Sequence, residues 1–149
     1  NDIKFVYVST ACVFEGTSDM YKESDIPYPE NFYALTKLLG ENEVSKLKNY
    51  LILRTNFVAK KPWPYPKAFT DRFGTYLFAE NVALGIKEII DSNSNGIIHV
   101  VGDKKLSMYD LAKITTPSVE PMTMDDYQGP SLTMNMSLDT EKWKKYTLK

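Results

Sequence analysis

A chain of 149 residues, 43% hydrophobic and 25% charged, is long enough to bury one core and ordinary enough in composition to be globular. Its net charge of −1 leaves no global basic field for nucleic acid or an anionic membrane, and no apolar run approaches the roughly 18 residues of a membrane span. The single cysteine, Cys12, excludes an internal disulfide, no Cys/His cluster suggests zinc, and a reduced, cytoplasmic setting fits.

Asn1 is not a methionine, and the apolar run Phe5–Val6–Tyr7–Val8 follows almost at once, so the chain reads as entering in mid-fold. Ile3 to Val8 is predicted as a buried strand, β-branched and aromatic with a polar turn after it. Glu15 to Glu30 is a polar loop punctuated by Gly16, Pro27 and Pro29. Asn31 is a predicted N-cap, opening a helix whose apolar stripe is Phe32, Leu35, Leu38 and Leu39, continuing toward Leu47. Tyr50 to Arg54 reads as a second buried strand. Strand, helix, strand predicts an α/β fold with a parallel sheet and a right-handed crossover.

Three prolines in Pro62–Trp63–Pro64–Tyr65–Pro66 exclude a central strand or helix, and Lys60 to Thr75 is expected to be loop. Glu80 to Ser92 is predicted helical with Val82, Ala83, Ile86, Ile89 and Ile90 inward. Ile97 to Val101 is a third strand between Gly96 and Gly102. Ser107 with Asp110 resembles a capping box that opens a short helix through Ile114. After Pro117 the chain is expected to be irregular until Asp139, a predicted cap for a last helix containing Trp143. The lysines from Lys142 to Lys145 then form a solvated helix face.

Three pieces could carry chemistry. Val8–Ser9–Thr10 ends a buried strand, and ligands of open α/β sheets bind outside the carboxyl ends of strands. A hydroxyl there either bonds a substrate oxygen or simply caps the strand. Tyr33 and Lys37, four apart, share one helix face, and a cation beside a phenol favours the phenolate, which suits a general acid–base. The spacing recurs at Tyr109 and Lys113, which lack a preceding Ser/Thr strand end and read as an ordinary amphipathic helix. Leu53–Arg54–Thr55–Asn56–Phe57 ends the second strand and faces the same edge, or else Arg54 pairs locally.

Taken together these segments resemble the dTDP-4-dehydrorhamnose reductases, a family of extended short-chain dehydrogenase/reductases. Val6–Thr10 through Val13–Phe14–Glu15–Gly16 is similar to the family's "STDxVFDG" segment, and Tyr21-x-Glu23-x-Asp25-x-Pro27 to its following loop. The run from Asn31 to Glu41 is similar to its "NxYGxTKLLGE" helix, and Leu53–Arg54–Thr55–Asn56 to its "LRTxW" strand. Softer matches are Phe69–Thr70–Asp71, Asn81–Val82–Ala83, Gly96 to Val100, Ser107 to Ala112 and Ser137 to Thr140.

The resemblance implies the C-terminal part of a Rossmann-type doubly wound parallel sheet with a small irregular substrate-side region. The chain is then one domain fragment. Its catalytic half covers roughly 1–60 and 78–115, and its substrate-side loops 60–77 and 116–149. It implies NAD(P)-dependent reduction of a 4-keto nucleotide sugar, with NADP or NAD as cofactor. Thr10 would orient the keto oxygen, Tyr33 would deliver the proton, and Lys37 would bind the nicotinamide ribose and tune Tyr33. The backbone around Val8, together with Ser9 and Asn56, would contact the nicotinamide end. Thr10, Ala11, Cys12, Asn56 and Trp63 would meet the substrate.

Ala11 and Cys12 stand where the family has Asp and Tyr, Asn56–Phe57 replaces its tryptophan-like position, and a proline-rich loop near Trp63 replaces its long insert. No glycines form G-x-x-G-x-x-G or G-x-G-x-x-G, so the pyrophosphate-binding turn is expected in roughly a hundred upstream residues. The missing N-terminal half is the implied partner, beside the sugar nucleotide and, in a homodimer, a second copy. The chain alone is expected to be inactive. Two other readings remain: an epimerase or dehydratase of the same superfamily, and a non-catalytic regulatory or binding subunit. A dehydratase would carry acids beside Ser9–Thr10, and Ala11 and Cys12 supply none. His99, inside an apolar strand, reads as a packed histidine.

Overall fold

A computed structural model describes residues 3–149; Asn1, on which the mid-fold start partly rests, lies outside the described residues. The elements are β1 (Phe5–Thr10), α1 (Phe32–Ser45), β2 (Tyr50–Thr55), β3 (Phe57–Val58), β4 (Lys67–Phe69), β5 (Phe73–Gly74) and β6 (Leu77–Phe78). There follow α2 (Ala79–Asp91), β7 (Gly96–Val100), β8 (Leu106–Ser107), α3 (Met108–Thr115), β9 (Glu120–Met122) and β10 (Asn135–Met136).

The central sheet runs β1-β2-β7, parallel throughout, with Val8 opposite Leu53 and Leu53 opposite Ile98. Leu51 to Thr55 of β2 are all buried, as a strand covered on both faces requires. Alternation along the strands assigns the two faces. Val6, Leu51, Leu53, Ile98 and Val100 pack with Val82, Ile86 and Ile89 of α2. Tyr7, Ser9 and Arg54 point the other way and meet α1, where Gly40 lies under the Tyr7 ring and Glu41 meets Ser9 and Arg54. Helices on opposite faces of a parallel sheet are the doubly wound arrangement.

Several expectations shift. The first strand begins at Phe5 and runs on to Thr10, so Ser9 and Thr10 belong to it. The predicted stripe on α1 is inverted: Phe32 is 80% and Leu39 56% exposed, whereas Ala34, Glu41 and Val44 are buried. The sheet-facing side of α1 is small because aromatic Tyr7 rises toward it. A Cβ on Gly40 would lie 2.3 Å from the Tyr7 hydroxyl. On α2, Val82, Gly85 and Ile89 are buried, while Ala83 and Ile90 face solvent.

The stretch from Lys60 to Thr75 is not all loop. The prolines end at Pro66, and β4 starts at once, pairing in parallel with β9 through Pro121, a residue tolerated in a two-stranded edge pair. β5 joins β10 and β8. The region after Pro117 is therefore tied into strand pairs rather than wholly irregular. No helix follows Asp139. Thr140 Oγ1 accepts from Lys142 N and Trp143 N, but Asp139 turns its carboxylate to Lys145 and Tyr146 bridges to Gly102, which stretches the segment along the fold. The capping box of α3 forms as predicted, with Ser107 Oγ accepting from Asp110 N at 3.0 Å.

The loop between β1 and α1 is fixed by Glu23. Its carboxylate accepts from His99 N (2.9 Å), Thr140 Oγ1 (2.7 Å) and Glu141 N (2.9 Å). Burial alone would raise the pKa of Glu23, but these hydrogen bonds outweigh it and hold the carboxyl below its ordinary value. His99 is fully buried, its Nδ1–H donating to the Asp139 carbonyl at 2.8 Å, and burial pushes its pKa down. It is a neutral, packed histidine, edge-on to Phe14.

Candidate active site

The carboxyl ends of β1 and β2 meet at one edge, with α1 packed across them. Asn31 caps α1, its Oδ1 accepting from Ala34 N at 2.9 Å, and so fixes where the first helical turn starts. Tyr33 lies in that turn and is 57% exposed. One turn later the Lys37 ammonium reaches back to the sheet. It donates to the Val8 carbonyl at 2.7 Å and sits 4.3 Å from the centroid of the Tyr7 ring. Thr10 ends β1, and its Oγ1 accepts from Cys12 N at 3.2 Å, capping the 3-10 turn Ala11–Val13. Ala11 is buried and Cys12 half-buried in that turn.

Beneath this edge α1 is tied down by a buried ion pair. Arg54 Nη2 donates to Glu41 Oε2 at 2.7 Å, Arg54 Nε to Oε1 at 3.0 Å, and Ser9 Oγ to Oε1 at 2.5 Å. The Arg54 and Glu41 side chains are 2% and 4% exposed. Arg54 thus pairs locally, and the Ser9 hydroxyl is spent on holding Glu41, leaving its backbone as the part that lines the strand end. Glu41 was present in the motif but its partner was not legible: the residues it joins lie 13 and 32 positions away.

Past β2, Asn56 and Tyr76 converge over Gly74, where a Cβ would lie 2.6 Å from Asn56 Nδ2 and 2.8 Å from Tyr76 Cζ. Asn56 Nδ2, Tyr76 Oη and Thr55 Oγ1 are buried without a hydrogen-bond partner among the described residues. Burial pushes the Tyr76 phenol far above its ordinary range. Cys12 Sγ lies 3.4 Å from Met136 Sδ, and Met136 Sδ lies 3.4 Å from Arg72 Nη2. Tyr76 and Arg72 carried no sequence signal.

Trp63 lines a cavity of about 570 Å³, with Tyr65, Phe69, Met108, Tyr127 and Arg72. Its indole Nε1–H donates to the Lys67 carbonyl at 3.1 Å. Arg72 is the residue that touches both regions. Among the described residues there is no cluster of three or more His, Cys, Asp or Glu side chains that could hold a metal ion, and no helix is long and apolar enough to cross a membrane.

The sequence profile of the RmlD substrate binding domain matches residues 1–148. The chain belongs to the RmlD substrate binding domain family. A probable low-salt glycan biosynthesis reductase of Haloferax volcanii is 30% identical over 133 residues, which is 75% of this chain and 44% of that protein. Methionine adenosyltransferase 2 subunit beta of Xenopus laevis is 28% identical over 173 residues, covering 94% of this chain and 51% of the relative. Among solved structures, a dTDP-4-dehydrorhamnose reductase of Bacillus anthracis in complex with NADP superposes with a TM-score of 0.80 at 23% identity, over 91% of this chain and 57% of that one. That likeness confirms the α/β fold with its Rossmann-type parallel sheet. The chain spans about half the length of the relatives that it matches. The relatives thus include proteins named as reductases and several named as methionine adenosyltransferase 2 subunit beta.

Proposed function

We propose that this chain is the catalytic part of an NAD(P)-dependent reductase of a 4-keto nucleotide sugar, with Tyr33 as the proton donor. The observation that carries this is the Lys37 ammonium fixed on the Val8 carbonyl at the end of β1. It holds a cation on β1 two residues before Thr10, on the helix that carries the exposed Tyr33 one turn earlier. In this reading Thr10 orients the keto oxygen, Tyr33 gives its proton to the alkoxide that forms there, and Lys37 supports the phenolate left behind. The pair works at this edge because β1 and β2 both end there.

The edge also suits a nicotinamide cofactor. Asn56 and Thr55, at and just past the end of β2, offer polar side chains for an amide, and the Lys37 ammonium offers donors for a ribose. The cofactor, when bound, supplies the hydride. Its pyrophosphate grip is expected on a second unit, as the relatives' greater length suggests. The outer edge of β1 suits that unit, since Phe5 and Val8 are 48% and 39% exposed there and β1 pairs with β2 alone among the described strands.

The test is nicotinamide oxidation by the complete protein with a dTDP-4-keto-6-deoxysugar. Tyr33→Phe is expected to abolish turnover and leave cofactor affinity nearly unchanged; retained turnover refutes the reading. A second reading, a non-catalytic subunit that keeps the fold, draws on the Xenopus laevis relative. It predicts no turnover by the complete wild-type protein with any 4-keto nucleotide sugar.

A further inference from the structure

Lys37 is held on two sides, and the reductase reading draws on only one of them. Its ammonium donates to the Val8 carbonyl at 2.7 Å and also stands 4.3 Å from the centroid of the Tyr7 ring. That is the shortest cation–ring approach among the described residues, the others lying between 5.0 and 5.5 Å. A cation this close to a ring is drawn to the negative face of its π system. The two contacts come from adjacent residues of β1, so a directional bond and a flat surface fix the same ammonium.

Tyr7 is half-buried on β1, under α1. Its hydroxyl donates only weakly to the Lys37 carbonyl, at 3.4 Å, so the ring is the part that Lys37 uses. The helix makes room for that ring at Gly40. Its φ is not in the left-handed region, which among the described glycines only Gly16 and Gly96 occupy, so the backbone there does not call for glycine. Glycine inside a helix is less stable than alanine. What excludes alanine is the tyrosine: a Cβ at position 40 would lie 2.7 Å from Tyr7 Cζ.

We propose that Tyr7 is a positioning residue for the acid–base pair. Its ring is the shelf that holds the Lys37 ammonium near the end of β1, and Gly40 is glycine to admit that ring. Position 7 then needs an aromatic face rather than a phenol. This role rests on the reading of Lys37 as the residue that supports Tyr33.

In the complete protein, Tyr7→Leu is expected to lower kcat about three- to thirty-fold, the range of one partly buried cation–π contact, and Tyr7→Phe to recover most of it. Gly40→Ala should lower kcat too, although alanine favours the helix, because its methyl displaces the ring. In a Tyr7→Leu background the same alanine should lower kcat no further, since two changes that break one contact are not additive. A second readout needs no turnover. In NMR spectra of the complete protein with isotope-labelled lysine, the Lys37 ε-methylene signal is assigned by its loss in Lys37→Met. Ring current should place it upfield of its position in Tyr7→Leu, and Tyr7→Phe should keep the shift. The same Lys37 signal in wild type and Tyr7→Leu overturns the shelf, whatever the Tyr33 assay shows. An unchanged kcat in Tyr7→Leu, or equal losses in Tyr7→Leu and Tyr7→Phe, overturns its part in the reaction. If Tyr7→Leu does not fold, Gly40→Ala decides by both readouts.

Discussion

On α1, Lys37 reaches across to the Val8 carbonyl near the end of β1. On α3, Lys113 folds back over the ring of its own Tyr109, 5.4 Å from the centroid. The two pairs have identical spacing, and both helices are capped by a side chain accepting from the third helical residue. The difference lies in what each helix packs against. α1 crosses the ends of two parallel strands, so its lysine finds a backbone carbonyl of β1. α3 packs its own tyrosine beside Ala68, Ala112 and Val119, and its lysine lies over that ring. Spacing selects a shared face; what the helix packs against decides where its lysine goes.

The largest test removes what holds α1 in place. Glu41→Ala leaves Arg54 buried without its counter-charge and should cost about 3–5 kcal/mol in chemical denaturation. Among the described residues α3 has no buried ion pair of this kind, and a loss below 1 kcal/mol would mean that α1 is not held by it either. Next, in the complete protein, Lys37→Met should lower kcat/KM about a hundred-fold, about 2.7 kcal/mol of barrier, whereas Lys113→Met should leave it unchanged. Equal effects would erase the distinction between the helices.

A smaller effect concerns the frame that steadies α1 but not α3. His99 is held neutral with its pKa below the ordinary 6.5, and Glu23 is held ionised with its pKa below 4.5. For each, the unfolded chain binds the proton more readily. Stability is therefore full above the unfolded pKa and is lost as pH falls, from about 6.5 for His99 and from about 4.5 for Glu23. Thermal melts should decline on acidification by at most about 1.4 kcal/mol per pH unit for each group. A midpoint that stays flat from neutral pH down to pH 4 would contradict this. Smallest are the caps: Asn31→Ala and Ser107→Ala should each cost about 1 kcal/mol, showing two locally equivalent helices.

Much of this was legible in residues. The Ser9–Thr10 strand end, the Asn31 cap and the strand at Tyr50 follow from local pattern, and the Ser107–Asp110 box formed as read. What failed did so for tertiary reasons. The exposed Phe32 and Leu39 read as a core stripe because nothing in the sequence reports that Gly40 and Glu41 face Tyr7 and Arg54. β4 was hidden by the prolines before it, since its partner β9 lies some fifty residues on. The helix predicted after Asp139 lost to long-range contacts of Tyr146. Arg72 stayed invisible because its neighbours Met108 and Met136 are 36 and 64 residues away.

The most direct test of the central claim compares the two tyrosines in one assay. In the complete protein, with a nicotinamide cofactor and a dTDP-4-keto-6-deoxysugar, Tyr33→Phe is predicted to lose about 10²–10⁴-fold in kcat with cofactor affinity preserved. Tyr109→Phe, the same change at the same spacing, is predicted to retain wild-type kcat. Turnover that survives Tyr33→Phe, or that falls equally in both variants, would contradict the account.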